Sequence, residues 1–105
     1  MKFGFTIIYV TDVEATVAFY ERAFGLTRRF VHPSGYAELE TGATALAFAS
    51  HALGAANLPD GYSKTNLGYL PCGVEIAFVT EDVTTAFKRA VDAGAIGMAQ
   101  PKLKP

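Results

Sequence analysis

The sequence states one strand–helix phrase twice. FTIIYVTDVEATVAFYERAFG fills residues 5–25, and EIAFVTEDVTTAFKRAVDAGA fills residues 75–95. At an offset of seventy, Asp12 meets Asp82, Val13 meets Val83, Val17 meets Phe87 and Tyr20 meets Ala90. Each copy opens with a β-rich run, Phe5 to Val10 and Glu75 to Thr80. Branched and aromatic side chains suit a pleated, half-buried surface. Apolar residues then recur at three- and four-residue spacing: Val13, Val17, Tyr20 and Phe24, and later Val83, Phe87, Ala90 and Val91. That period marks one face of a helix. An aspartate stands at the head of each helix, suited to accept from the first free N–H groups. Thr11 and Glu14 add the T-x-x-E spacing of a capping box. Gly25 and Gly94 stop the helices, because glycine tolerates the left-handed conformation that ends them. The repeat predicts an α+β chain with two helices, related internally by a pseudo-twofold axis.

Unit one goes on with strand signals. TRRFV (27–31) precedes HPSG (32–35), which is turn chemistry, and YAELE (36–40) alternates as a half-buried strand should. ATALAFAS (43–50) completes a β-α-β-β-β order. Residues 51–72 then form a long connection containing Gly, Pro and Asn, a length that belongs to a lid or to a linker between units. In unit two the helix of 82–93 is followed by AIGMA (95–99) and QPKLKP. At the same offset, the counterparts of strands 36–40 and 43–50 would fall near 106–110 and 113–120, past Pro105. The expected organisation is one domain over 1–105: module one at about 1–50, a connecting loop at 51–72, and a partial module two at 73–105.

Composition removes several function classes. Half of the residues are apolar and 18% are charged, which is globular and not disordered. With net charge −1, and no basic cluster beyond Arg28 and Arg29, there is no footprint for nucleic acid. The apolar runs fall far short of the roughly 20 residues that cross a bilayer, so no membrane partner is expected. A single cysteine, Cys72, cannot form an internal disulfide and suits a reducing cytoplasm. It reads as a spacer in LPCG. No CxxC and no histidine pair at ligand spacing occurs; His32 and His51 sit in turn-like segments and read as solvated.

Period two assigns the strand faces. The aliphatic sets, Ile8 and Val10, Ala37 and Leu39, Leu46 and Phe48, and Ile76 and Phe78, belong against the helices. The opposite face then carries Phe5, Ile7, Tyr9, Tyr36, Glu38, the alanines at 45, 47 and 49, and Glu75. Small residues beside aromatics and carboxylates leave the room that a ligand cleft needs.

Residues 5–25 and 75–95 resemble the vicinal oxygen chelate superfamily, the glyoxalase, bleomycin-resistance and extradiol dioxygenase group built from paired βαβββ modules. YVTDVEATVAFYERAFGL is similar to the family's first strand–helix signature, ELETGATALAFAS to its strand pair, and PKLKP to the approach to its final hairpin. The resemblance implies a cleft between modules and, in metal-using members, one ligand near the start of each first strand and another on each last strand. Those positions fall at Phe5, Glu75 and about Ala47, with no matching last strand in unit two. Phenylalanine and alanine have no lone pair to offer. Glu75 is therefore a metal ligand only if a metal is present, and no metal or other cofactor is expected. The resemblance implies binding of a small organic molecule, cationic or aromatic, through Phe5, Ile7, Tyr9, Phe30, Tyr36, Glu38, Ala47 and Glu75. Glu75 is expected to face the cavity near Phe5 and Ala47. The alternative is a lyase, isomerase or dioxygenase using Glu75 as metal ligand or general base. A homodimer is expected as well, because family clefts draw on modules of two chains.

Overall fold

A computed structural model describes residues 1–104; Pro105, the last residue of the partial second module, lies outside the described residues. The order of elements is β1 (Phe5–Val10), α1 (Val13–Phe24), β2 (Thr27–His32), β3 (Tyr36–Glu40), β4 (Ala45–Ser50), α2 (His51–Asn57) and α3 (Val83–Asp92). The four strands form one sheet in the order β1-β4-β3-β2. β1 and β4 run parallel, with Phe5 opposite Ala45 and Tyr9 opposite Ala49. The β3–β4 and β2–β3 pairs are antiparallel. This is the β-α-β-β-β unit that the sequence predicts.

Helix α1 lies on one face of the sheet. Its Val13 and Val17 close over Ala37, Leu39, Leu46 and Phe48, with Ile8, Val10, Tyr20, Leu26 and Val31 packed around them. The aliphatic face assigned by strand alternation is thus the core. Burial of a side chain the size of Phe48 stabilises the fold by about 1.5–3 kcal/mol.

The repeat holds at the helices. Asp12 accepts from the Ala15 N–H at 2.9 Å, and Asp82 from the Thr85 N–H at 3.0 Å. The Thr11–Glu14 capping box does not form: Asp12 holds the cap, and Glu14 instead pairs with Arg28 at 2.9 Å. Gly25 ends α1 at φ 68°, and a Cβ there would come within 2.9 Å of the Arg89 guanidinium. That guanidinium caps α1 from α3, with Arg89 Nε donating to the Arg22 carbonyl at 2.8 Å.

The repeat fails at the strands. Residues 75–80, expected as a strand, carry no strand pairing. A strand exists by exchanging backbone hydrogen bonds with a neighbour, and among the described residues no edge pairs with this segment. Side-chain parity survives without the ladder. Phe78 turns toward α1, its ring 4.9 Å from Phe24 and 6.4 Å from Tyr20, whereas Val79 is fully exposed. AIGMA (95–99) likewise forms no strand.

The segment 51–72, expected as a continuous loop, begins with the third helix, α2. Ser50 caps it, its hydroxyl accepting from the Leu53 N–H at 3.2 Å. Gly54 weakens the helical signal of HALGAAN by roughly 1 kcal/mol relative to alanine, and that hid the element.

Candidate functional site

On the face of the sheet away from α1 a row of small residues runs between two rows of larger ones, an arrangement called the trough below. Its floor is β4, where Ala45, Ala47 and Ala49 are all but fully covered by their neighbours. β1 supplies one wall, with Phe5 and Ile7 exposed and Tyr9 half-buried. β3 supplies the other, with Glu38 opposite Ala47 and Tyr36 opposite Ala49. Among the candidate residues, Phe5, Ile7, Tyr9, Tyr36, Glu38 and Ala47 thus share one surface, as alternation predicts.

Phe30 joins them through an irregularity. β2 pairs Arg28 with Leu39 and Phe30 with Glu38, leaving Arg29 as an extra residue. Strict alternation would return Phe30 to the helix side with Arg28. The bulge keeps it on the trough side, 6.0 Å from the Tyr36 ring in a tilted pair. Bulges re-aim side chains in this way.

Arg29 is the residue that sequence reasoning missed. Its guanidinium grips Glu40 with two bonds, at 2.8 and 2.9 Å, and donates to Glu38 Oε1 at 2.9 Å. The Tyr36 hydroxyl donates to Glu38 Oε2 at 2.8 Å. Both oxygens of Glu38 are thus engaged, which is how a carboxylate only 8% exposed is tolerated. Burial, and then the bond to Glu38, push the Tyr36 phenol up to about 12. Arg29 holds the Glu40 carboxyl below its ordinary value through their hydrogen bonds. One guanidinium against two carboxylates leaves this wall with a single negative charge. The available sequence signal was Arg29 on one strand and carboxylates two apart on the next.

A second cluster closes the Tyr9 end. The His51 Nδ1 lies 2.6 Å from the Tyr62 hydroxyl, and Asn57 donates to the Tyr9 hydroxyl at 3.3 Å. The Tyr62 ring sits 5.1 Å from Tyr9 and stacks at 5.8 Å on His51. His51, expected to be solvated, is half-buried here. The His32 Nδ1 lies 2.7 Å from the hydroxyl of its neighbour Ser34.

Glu75 is not among the residues that strand pairing places side by side on the trough face. It is exposed at the head of the unpaired segment. A crevice of about 1000 Å³ lies between unit one and residues 76–90, on the helix side of the sheet. Its walls include Phe24, Leu46, Ile76, Phe78 and Phe87, but not Glu75. It is an incompletely filled packing seam and not the trough.

A family model for the glyoxalase/bleomycin resistance protein/dioxygenase superfamily matches residues 2–102. The chain belongs to that superfamily. No curated protein matches it. Among solved structures, a hypothetical protein from S. aureus is similar at TM-score 0.72 and 20% identity, over 99% of this chain and 77% of that one. A glyoxalase-related enzyme from Fulvimarina pelagi gives TM-score 0.69 and 18% identity, over 90% and 66%. TioX from Micromonospora sp. ML1 gives 0.62 and 20%, over 100% and 82%. At these identities the likeness is one of fold. The chain spans 66% to 82% of the length of these three neighbours.

The superfamily's metal chemistry needs donor atoms. The positions that its pattern marks in unit one are Phe5 and Ala47, which have none. Among the described residues no three His, Cys, Asp or Glu side chains are placed to share a metal ion. A zinc site takes three or four protein ligands, and the side chains of Phe5 and Ala47 supply none of them.

Proposed function

We propose that this superfamily member binds a small, planar organic molecule in the trough, without the family's metal centre. The observation that supports it is the alanine floor at 45, 47 and 49 between aromatic walls. The small floor lets the wall side chains close over it, and a flat ring can lie across the exposed Phe5, Ile7 and Phe30 that rise beside it, where aromatic contacts contribute about 0.5–1.5 kcal/mol each. Glu38 is already satisfied, so it shapes the wall more than it anchors a cation. The residual negative charge beside Arg29 still favours a neutral or cationic ring over an anionic one.

The working unit in this reading is a cytoplasmic homodimer. β1 leaves one edge of the sheet unpaired, Phe3, Phe5 and Ile7 are exposed beside it, and so are Ile76, Phe78 and Val79. Unpaired edges and apolar patches draw a second copy. No partner of nucleic acid or membrane kind is part of the proposal; no described helix is long and apolar enough to cross a membrane.

Titration of the purified protein with a planar cationic acridine dye tests the reading. Saturable binding is expected, weakened by Phe30→Ala by about 1 kcal/mol. Absence of binding, or indifference to Phe30→Ala, rejects it. Metal analysis tests the enzyme alternative: stoichiometric metal that disappears in Glu75→Gln would establish Glu75 as a ligand and replace the metal-free reading. Light scattering that gives a monomer mass at micromolar concentration would count against the dimer.

A further inference from the structure

The connection after α2 is held down at one point. From Leu58 to Cys72 every residue is exposed except Tyr62. Gly61, at φ 92°, turns the chain just before it, with its N–H bonded to the Leu58 carbonyl at 2.9 Å. The Tyr62 side chain drops back onto α2. It meets the His51 Nδ1 at 2.6 Å and lies so close to Gly54 that a Cβ there would overlap the phenol. Gly54 is the one buried residue of α2, covered by this ring. The ring also covers Tyr9, the last aromatic of the β1 wall.

From this geometry we infer that Tyr62 is a strap across the Tyr9 end of the trough, latched on His51 and seated in the gap that Gly54 leaves. It rests on the reading of the trough as a ligand site and adds its regulation. A molecule entering at that end must displace the chain's own phenol from Tyr9. The latch is a single hydrogen bond with ring packing, so it is weak enough to open. Once Tyr62 lifts, no other hydrogen bond of 59–65 reaches the sheet among the described residues. Gly54 is explained by the same geometry: alanine would favour the helix by propensity, but its methyl group would evict the ring.

Two readouts need no ligand. Trypsin can cut after Lys64, two residues beyond the latch, and after Lys102, which serves as an internal control. Nitration of the Tyr9 ring by tetranitromethane reports whether that ring is covered. Tyr62→Phe keeps the ring and removes the hydrogen bond, which should speed cleavage after Lys64 about fivefold, the factor that one net hydrogen bond carries. Gly54→Ala should speed it as well, although the helix itself gains. Tyr62→Ala should expose Tyr9 to nitration. Cleavage after Lys102 should be the same in all three. Wild-type rates of cleavage after Lys64 in both Tyr62→Phe and Gly54→Ala, or unchanged nitration of Tyr9 in Tyr62→Ala, would overturn the strap. Dye binding distinguishes this failure from failure of the trough, because a missing ligand site shows itself in the titration and leaves cleavage and nitration untouched.

Discussion

Units one and two share their helices and differ in their strands. Asp12 and Asp82 cap at nearly the same distance, and α1 and α3 start at Val13 and Val83, seventy positions apart. A helix closes its hydrogen bonds within itself, residue i to residue i−4, so local sequence is enough to build it. A strand has no such means. Phe5–Val10 becomes β1 because Ala45–Ser50 lies beside it to exchange N–H and C=O. Residues 75–80 are also rich in branched and aromatic side chains and keep the same parity, with the half-exposed Phe78 turned toward α1 and Val79 outward, yet they have no neighbouring ladder. Strand formation is thus a property of the edge offered and only secondarily of the run that might use it.

The largest test of this contrast compares a core residue of unit one with an exposed apolar residue of unit two. Phe48 sits in the core at 1% exposure and packs on Tyr20 at 4.8 Å. Phe48→Ala should cost about 3–5 kcal/mol in chemical denaturation. Val79→Ala, at a position fully exposed in unit two, should stay within about 0.5 kcal/mol. A comparable loss at Val79 would mean that the segment is covered in solution, and the contrast would then hold for one chain but not for the assembly.

A smaller effect is expected on the trough side of unit one. Tyr36→Phe removes the bond to Glu38 and should cost about 1 kcal/mol. The Tyr36 phenol offers a second readout. Its folded value, about 12, lies above the ordinary tyrosine value of 10.0, chiefly because it is desolvated. Its contribution to stability is therefore complete below pH 10 and is lost as pH rises through about 12. Ultraviolet titration should find two phenols ionising late, Tyr36 and the Tyr20 phenol that burial also pushes up, and the Tyr36→Phe spectrum should lack one of the two late steps.

How far the sequence reached follows from the same physics. The helices α1 and α3, the β-α-β-β-β order and the faces of β1, β3 and β4 were legible because they rest on period and capping. The wall residues Phe5, Ile7, Tyr9, Tyr36, Glu38 and Ala47 came with them. Arg29 was not legible, because a bulge is a mismatch between two strands and neither strand alone encodes it. Tyr62 and His51 were not legible either: eleven positions separate them, and their meeting depends on α2, which a central glycine disguised. That glycine is the ring's seat, so the local rule failed where a tertiary contact required it.

The next effect in size returns to the caps. Asp12→Ala should lower global stability by about 1 kcal/mol, because α1 is welded to the core. Asp82→Ala should appear instead as faster hydrogen exchange in α3, with a small change in the denaturation midpoint. α3 rests on the rest of the chain mainly through α1, Phe78 and Arg89, and its face buries only Ala90. Equal losses of global stability at the two caps would show that unit two is as cooperative with the sheet as unit one.

The smallest effect is the pH dependence of that second cap. The Asp82 carboxylate accepts from the Thr85 N–H at 3.0 Å and from the Thr85 hydroxyl at 2.7 Å. The backbone bond first, and the hydroxyl bond second, hold its carboxyl below the ordinary aspartate value of 3.8. A group whose folded value lies below its unfolded one stabilises fully above the unfolded value. That contribution fades as pH falls through the folded value. Helix α3 should therefore fray in acid below about pH 4, and Asp82→Asn should flatten the profile while keeping a capping oxygen. Exchange at the Thr85 and Ala86 amides, followed from pH 5 downward, reads this directly. If the Asn variant keeps the wild-type acid profile, the acid sensitivity of α3 comes from some other group, and the two caps differ in more than their surroundings.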